Sequence, residues 1–131
     1  DVDAVINTGN MFTNELGTQT QMVSMRFDTF INQFKISKID FLKTDCEGGE
    51  YDIFTEENFD WVKNNVSKIA GEWHLHNQET KDKFRKFRDL YLKEFPNHQV
   101  FSVDGIDIKW DLWNDHFIEY YSEVNLYIDN R

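Results

Sequence analysis

Ile39-Asp-Phe-Leu-Lys-Thr-Asp-Cys-Glu-Gly-Gly-Glu-Tyr-Asp-Ile-Phe54 decides how the rest of the chain is read, because within it an apolar run stops on acidic residues and two glycines. Residues 39–44 have the composition of a strand in the middle of a sheet, and Asp45, Glu47 and Glu50 crowd the turn into the next helix. The carboxyl edge of an open α/β sheet is where ligands bind, so the chemistry is expected at this stop.

The segments on either side extend the pattern. Period two over residues 66–75 puts Glu72, His74 and His76 on one face of a second strand, with Trp73 and Leu75 on the other. Between the two strands, Thr55 followed by Glu56 and Glu57 reads as a cap for a helix running to about residue 64. Phe84, Phe87, Leu90, Tyr91 and Phe95 recur on one stripe, so 78–95 reads as the longest helix, stopped by Pro96-Asn97. Upstream, 18–25 reads as a strand, and Phe27, Phe30, Ile31 and Phe34 predict a short helix over 28–33.

Residues 1–17 read as an irregular lead-in with a short strand at 4–6. Downstream, 98–103 and 106–109 read as one strand or as a strand interrupted at Asp104-Gly105, 110–113 as an aromatic loop, and 123–128 as a closing strand. The order is strand, helix, strand, helix, strand, strand. It predicts an α/β fold: a partial sheet with helices on its faces, whose parallel strands end in an antiparallel hairpin.

The 131 residues fit one domain, and 40% hydrophobic with 16% aromatic residues is a globular composition. A net charge of -10 argues against binding nucleic acid by phosphate neutralisation. The lone cysteine, Cys46, excludes an internal disulfide, no signal peptide is visible, and no apolar run reaches the ~20 residues that span a bilayer. The expectation is a soluble cytoplasmic domain without a membrane partner, acting on a small molecule.

Leu42-Lys-Thr-Asp-Cys-Glu-Gly-Gly-Glu50 resembles, without gaps, the core of the FkbM-type methyltransferases, which reads roughly Leu-Lys-Ile-Asp-Val-Glu-Gly-Ala-Glu. The departures are Thr44, Cys46 and Gly49. Phe27-Asp28 is similar to a Leu-Asp pair that opens a short helix in that family, and Gly71-Glu-Trp-His74 to its next strand end. The resemblance covers roughly 19–130. It implies a Rossmann-like methyltransferase fold, S-adenosylmethionine as cofactor, and methylation of a hydroxyl on a sugar or other small metabolite. In such enzymes an earlier glycine-rich loop and an acidic strand end hold the cofactor. Neither is visible here, so the chain reads as the C-terminal portion of that fold, its cofactor-binding residues are unknown, and cofactor binding by the chain alone is expected to be weak.

Within this reading Asp45, Glu72 and His74 are the catalytic candidates, with His74 as general base from its ordinary pKa of ~6.5. Glu47, Glu50, His76, Trp110 and Trp113 are candidates for holding the acceptor, the tryptophans by stacking on a sugar. No metal ligand is assigned. A divalent metal stays open as an alternative, because catechol-type O-methyltransferases hold one at corresponding strand ends and a mixed Asp, Glu and His set suits Mg, Mn or Zn.

Plainer readings stand beside these. Asp45 and Glu47 can serve only to cap the next helix, His74 and His76 can be strand residues without a role, and the tryptophans can simply seal the hairpin. Two rival functions follow: a non-catalytic glycan- or partner-binding module, and a metal-dependent hydrolase using Asp45, Glu72, His74 and His76. An incomplete sheet also exposes an edge, which predicts a homo-oligomer.

Overall fold

The structure, a computed structural model, describes residues 4–7 and 22–131. The chain forms two compact units, 1–36 and 37–131. In the first, β1 (Ala4–Asn7) pairs antiparallel with β2 (Met22–Met25), Ala4 opposite Met25. α1 (Phe27–Gln33) follows, with the extended backbone of Arg26 at its N-terminus and Ile31 buried. The expected strand over 18–25 is described only in its last four residues, and most of the lead-in lies outside the described residues. β2 does not join the parallel sheet, as the order of elements had implied. It forms a separate two-stranded sheet with β1.

The second unit is built on a four-stranded sheet of order β3-β4-β6-β5, with β3 (Ile39–Thr44), β4 (Val66–His74), β5 (His98–Phe101) and β6 (Glu123–Asp129). β3 and β4 are parallel, Leu42 beside Ile69 and Thr44 beside Gly71. β6 lies antiparallel between β4 and β5, which bears out the expected antiparallel finish to a parallel pair. The fold is therefore mixed α/β, consistent with part of a Rossmann-like sheet.

One expectation about β3 is corrected: among the described strands it is the edge and not the middle of the sheet. Phe41, on the uncovered face of this edge strand, is 58% exposed. No described strand pairs with the outer side of β3, and β1 pairs with β2 in a sheet of its own.

Alternation along the strands sorts the two faces. Ile69, Trp73, Val100, Val124, Leu126 and Ile128 are buried on one face. Phe41, Lys43, Gln99 and Tyr127 are exposed on the other. The buried face carries an aromatic layer centred on Phe87 of α3 (Gln78–Leu90), whose ring lies 4.8 Å from Phe54 and stacks on Trp73 at 5.4 Å. α2 (Phe59–Asn65) extends the layer through Phe59, 5.8 Å from Phe95, and α4 (Asp115–Tyr120) through Phe117, 5.8 Å from Phe84. Each such ring contributes roughly 1.5–3 kcal/mol by burial, and pairs of rings roughly 0.5–1.5 kcal/mol more. The helices α2, α3 and α4 thus cover the buried face of this sheet.

Two helix boundaries differ from expectation for local reasons. The Thr55 hydroxyl accepts from the Asn58 amide at 3.2 Å, capping a turn, and the α-helix proper begins only at Phe59. α3 stops at Leu90, and the tighter 3₁₀ turn Leu92–Glu94 follows. Leu92 of that turn is fully buried, whereas Leu90, the last residue of α3, is 49% exposed. No helix among the described residues is long and apolar enough to cross a membrane.

Candidate functional site

The site lies where β3 and β4 end side by side. β3 runs out at Thr44, and the chain must turn sharply to cross back over the sheet. It does so through two consecutive left-handed residues, Glu47 at φ 52° and Gly48 at φ 107°. Glycine takes that conformation without cost, whereas for Glu47 it is sparsely populated. The turn delivers Glu50 inward, onto the 3₁₀ helix Gly49–Asp52, where it is completely buried.

A buried carboxylate has to be satisfied by donors. Glu50 Oε2 accepts from the Gly48 amide at 2.9 Å. Its Oε1 accepts from the His74 amide at 2.7 Å and meets the His74 ring Nδ1 at 2.9 Å. Because the carboxylate can only accept, Nδ1 carries the proton. The neighbouring Tyr51 hydroxyl donates to the His74 carbonyl at 2.7 Å. Burial, with the charge of Glu50 adding to it, pushes the Tyr51 phenol above its ordinary value, so it stays a donor.

His74 is thus held at its amide, its carbonyl and one ring nitrogen, and only Nε2 is left without a hydrogen-bond partner. That nitrogen faces Glu47 Oε2 at 3.6 Å, Glu72 Oε2 at 3.8 Å and Glu123 Oε1 at 3.9 Å. Burial opposes a charge on the ring, but the hydrogen bond and charge of Glu50, with Glu47 and Glu123, outweigh it and raise the His74 pKa above its ordinary value. The Glu72 pKa is raised by burial, by the charges of Glu123 and Asp45, and by a hydrogen bond with Asp45, against a smaller opposing effect of His74. The ligating atoms of Asp45, Glu72 and His74 all lie within 4.8 Å of one another.

The structure therefore brings Asp45, Glu47, Glu50, Glu72 and His74 together, and the exposed His76 stands next to them, its ring 5.9 Å from that of His74. Glu50 is not in reach of an acceptor: it is fully buried and fixes His74. Trp113 is not at the cluster. Its ring packs 6.1 Å from His98, which pairs with Ile128 beside Ile69, five residues before His74 on β4. Trp110 sits 76% exposed on the turn Lys109–Asp111, in the same segment.

Three residues in and around the cluster went unread. Glu123 is opposite His74 only because β6 pairs antiparallel with β4, and Tyr51 is drawn in by the 3₁₀ turn. On the open face a depression of about 240 Å³ adjoins Glu72 and is lined by Phe41, Lys43, Asn125 and Tyr127. The alternation of Val124, Leu126 and Ile128 in β6 gave Tyr127, on the opposite face, no particular role.

A mixed sheet with helices defines an α/β domain, and its acid and histidine cluster lies at the carboxyl ends of the parallel strands β3 and β4, the edge at which open α/β sheets bind ligands. The family profile described as "Methyltransferase FkbM domain" matches residues 2–101. The chain belongs to the FkbM methyltransferase domain family, as the motif at residues 42–50 had implied. The match ends in β5, so β6 with Glu123 and the Trp110 and Trp113 segment lie beyond it. No curated protein and no solved structure matches the chain.

Proposed function

We propose that this chain carries the acceptor side of an S-adenosylmethionine-dependent O-methyltransferase acting on a hydroxyl of a sugar or other small metabolite. The observation that carries this reading is the convergence of Asp45, Glu72 and His74 at the adjacent carboxyl ends of β3 and β4 in a member of a methyltransferase family.

Methyl transfer to a hydroxyl asks for orientation of the acceptor and removal of its proton. The Asp45, Glu72 and His74 cluster takes that proton, and the pinned ring of His74 fixes the direction from which the hydroxyl approaches. The depression beside Glu72 offers Tyr127 and Phe41 as apolar walls and Asn125 and Lys43 as polar ones, which is a mixture suited to a sugar.

The cofactor, when bound, supplies the methyl group. The Gly48–Gly49 turn does not offer its amides to it. In the Gly48–Gly49 turn, the first amide is taken by Glu50 and the second by the Cys46 carbonyl, so neither is free for a ligand.

The test is transfer of labelled methyl from S-adenosylmethionine to a panel of hydroxylated acceptors by the native polypeptide carrying this chain. Glu72→Gln should lower turnover at least ~100-fold with cofactor affinity unchanged. Absence of any methylated hydroxyl product, or loss of cofactor affinity with turnover intact, would overturn the reading.

A further inference from the structure

We infer that Asp45, Glu72 and His74 form a binding site for a first-row divalent cation of the manganese or zinc kind, with His74 Nε2 as the nitrogen ligand and Glu50 as the residue that aims it. This goes beyond the methyl-transfer reading and does not rest on it.

Four observations converge. First, the His74 side chain is only 4% exposed, yet its Nε2 has no hydrogen-bond partner although every other polar atom of the residue is engaged. A buried ring nitrogen left empty calls for a ligand. Second, the carboxylate oxygens it faces, from Glu47, Glu72 and Glu123, stand at 3.6 to 3.9 Å, too far to accept a hydrogen bond. The gap has the size of an interposed ion. Ligands bound at roughly 2.0–2.2 Å lie up to about 4.4 Å apart across a metal. The ligating atoms of Asp45, Glu72 and His74 lie within 4.8 Å of one another, so closing onto one ion asks for a shift of only a few tenths of an ångström.

Third, Nδ1–H is committed to Glu50, so Nε2 is the nitrogen that can give up its proton to ligate a cation. A carboxylate behind the far nitrogen is the arrangement that orients metal-ligating histidines. Fourth, the ion pairs made by Glu47, Glu72 and Glu123 are all with this one histidine, and no lysine or arginine among the described residues pairs with them. The facing carboxylates thus outnumber the charge available to offset them. One imidazole with two or more carboxylates suits manganese or zinc better than calcium or magnesium, which favour oxygen alone.

The experiment uses the full chain stripped with a chelator and titrated with manganese(II), free aquo-manganese being read by electron paramagnetic resonance and zinc(II) added as a competitor. One manganese per chain, displaced by zinc, is expected. Asp45→Asn and Glu72→Gln, both at positions with solvent access, should each weaken binding at least ~10-fold while leaving circular dichroism unchanged. Glu50→Gln should weaken it ~10-fold to 100-fold through His74.

No binding of either metal by the stripped chain overturns the inference. So does binding that survives both Asp45→Asn and Glu72→Gln. Unchanged affinity in Glu50→Gln removes the aiming role alone. A chain that binds manganese but methylates nothing keeps this inference and loses the previous one, and the reverse outcome separates them equally.

Discussion

Glu50 holds His74 with a single oxygen: Oε1 accepts the backbone amide at 2.7 Å and the ring Nδ1 at 2.9 Å. The two residues come from different strand ends, and the contact is fully buried. It ties the turn after β3 to the last residue of β4, so the site and the β3–β4 crossover are stabilised by the same bonds.

Removing that carboxylate should therefore be costly. Glu50→Ala leaves the Gly48 amide and both His74 donors unsatisfied and is expected to lower stability by about 3–5 kcal/mol. Glu50→Gln keeps the shape and one acceptor, and is expected to cost about 1–3 kcal/mol. Urea unfolding gives both values, and an alanine variant as stable as the parent would show that the clamp is not structural.

Gly71 has a different sensitivity. A Cβ there would lie 2.1 Å from the Thr44 carbonyl oxygen and 2.2 Å from its hydroxyl. The obstruction is backbone and cannot swing away, so Gly71→Ala must push β3 off β4. We expect at least about 3 kcal/mol of destabilisation and loss of the Asp45 to Glu72 proximity. Thermal unfolding with normal helical signal and an unchanged midpoint would contradict this.

The acid limb of the stability profile should contain a contribution from His98. Its Nδ1 donates to the Phe95 carbonyl at 2.6 Å, and burial lowers its pKa, with only partial compensation by that bond. The folded state thus favours neutral His98. Its contribution is complete above the unfolded value of ~6.5 and falls away as the pH drops below it, because the unfolded chain then binds the proton more readily. The difference in urea midpoint between the parent and His98→Gln should shrink from pH 7.5 to pH 5. A difference that grows on acidification would reverse the assignment.

The β3 edge should drive self-association, since Phe41 is 58% exposed on it and no described strand covers its outer side. Lysines on edge strands block such pairing. Light scattering should give a mass above the monomer's, reduced by Phe41→Lys. A parent chain that is monomeric at high concentration would rule out this edge as an interface.

Much of this architecture was legible in the chain itself, and the exceptions have physical causes. β4 and α3 were readable because period two and period 3.6 persist over nine and thirteen residues. β1 and β2 are four residues each, too short for periodicity to say which sheet they join. The edge position of β3 was hidden because Ile39, Phe41 and Leu42 look the same whether or not another strand lies outside them. That Trp113 packs beside His98 was not legible, because composition cannot tell one end of a sheet from the other.

By itself the sequence determined the family, through the motif at residues 42–50, and the presence of Asp45, Glu72 and His74 at strand ends, because strand period and the glycine turn are local properties. Only the tertiary structure decided what each acid does. Glu50 looked like Asp45 or Glu47, but the left-handed turn at Glu47 and Gly48 sends it inside. Glu123 entered the site through an antiparallel pairing formed forty-nine residues further along the chain from His74. The freedom of His74 Nε2 likewise exists only once Glu50 has taken the other nitrogen. Such roles depend on burial and on contacts distant in sequence, and neither is written in any local stretch.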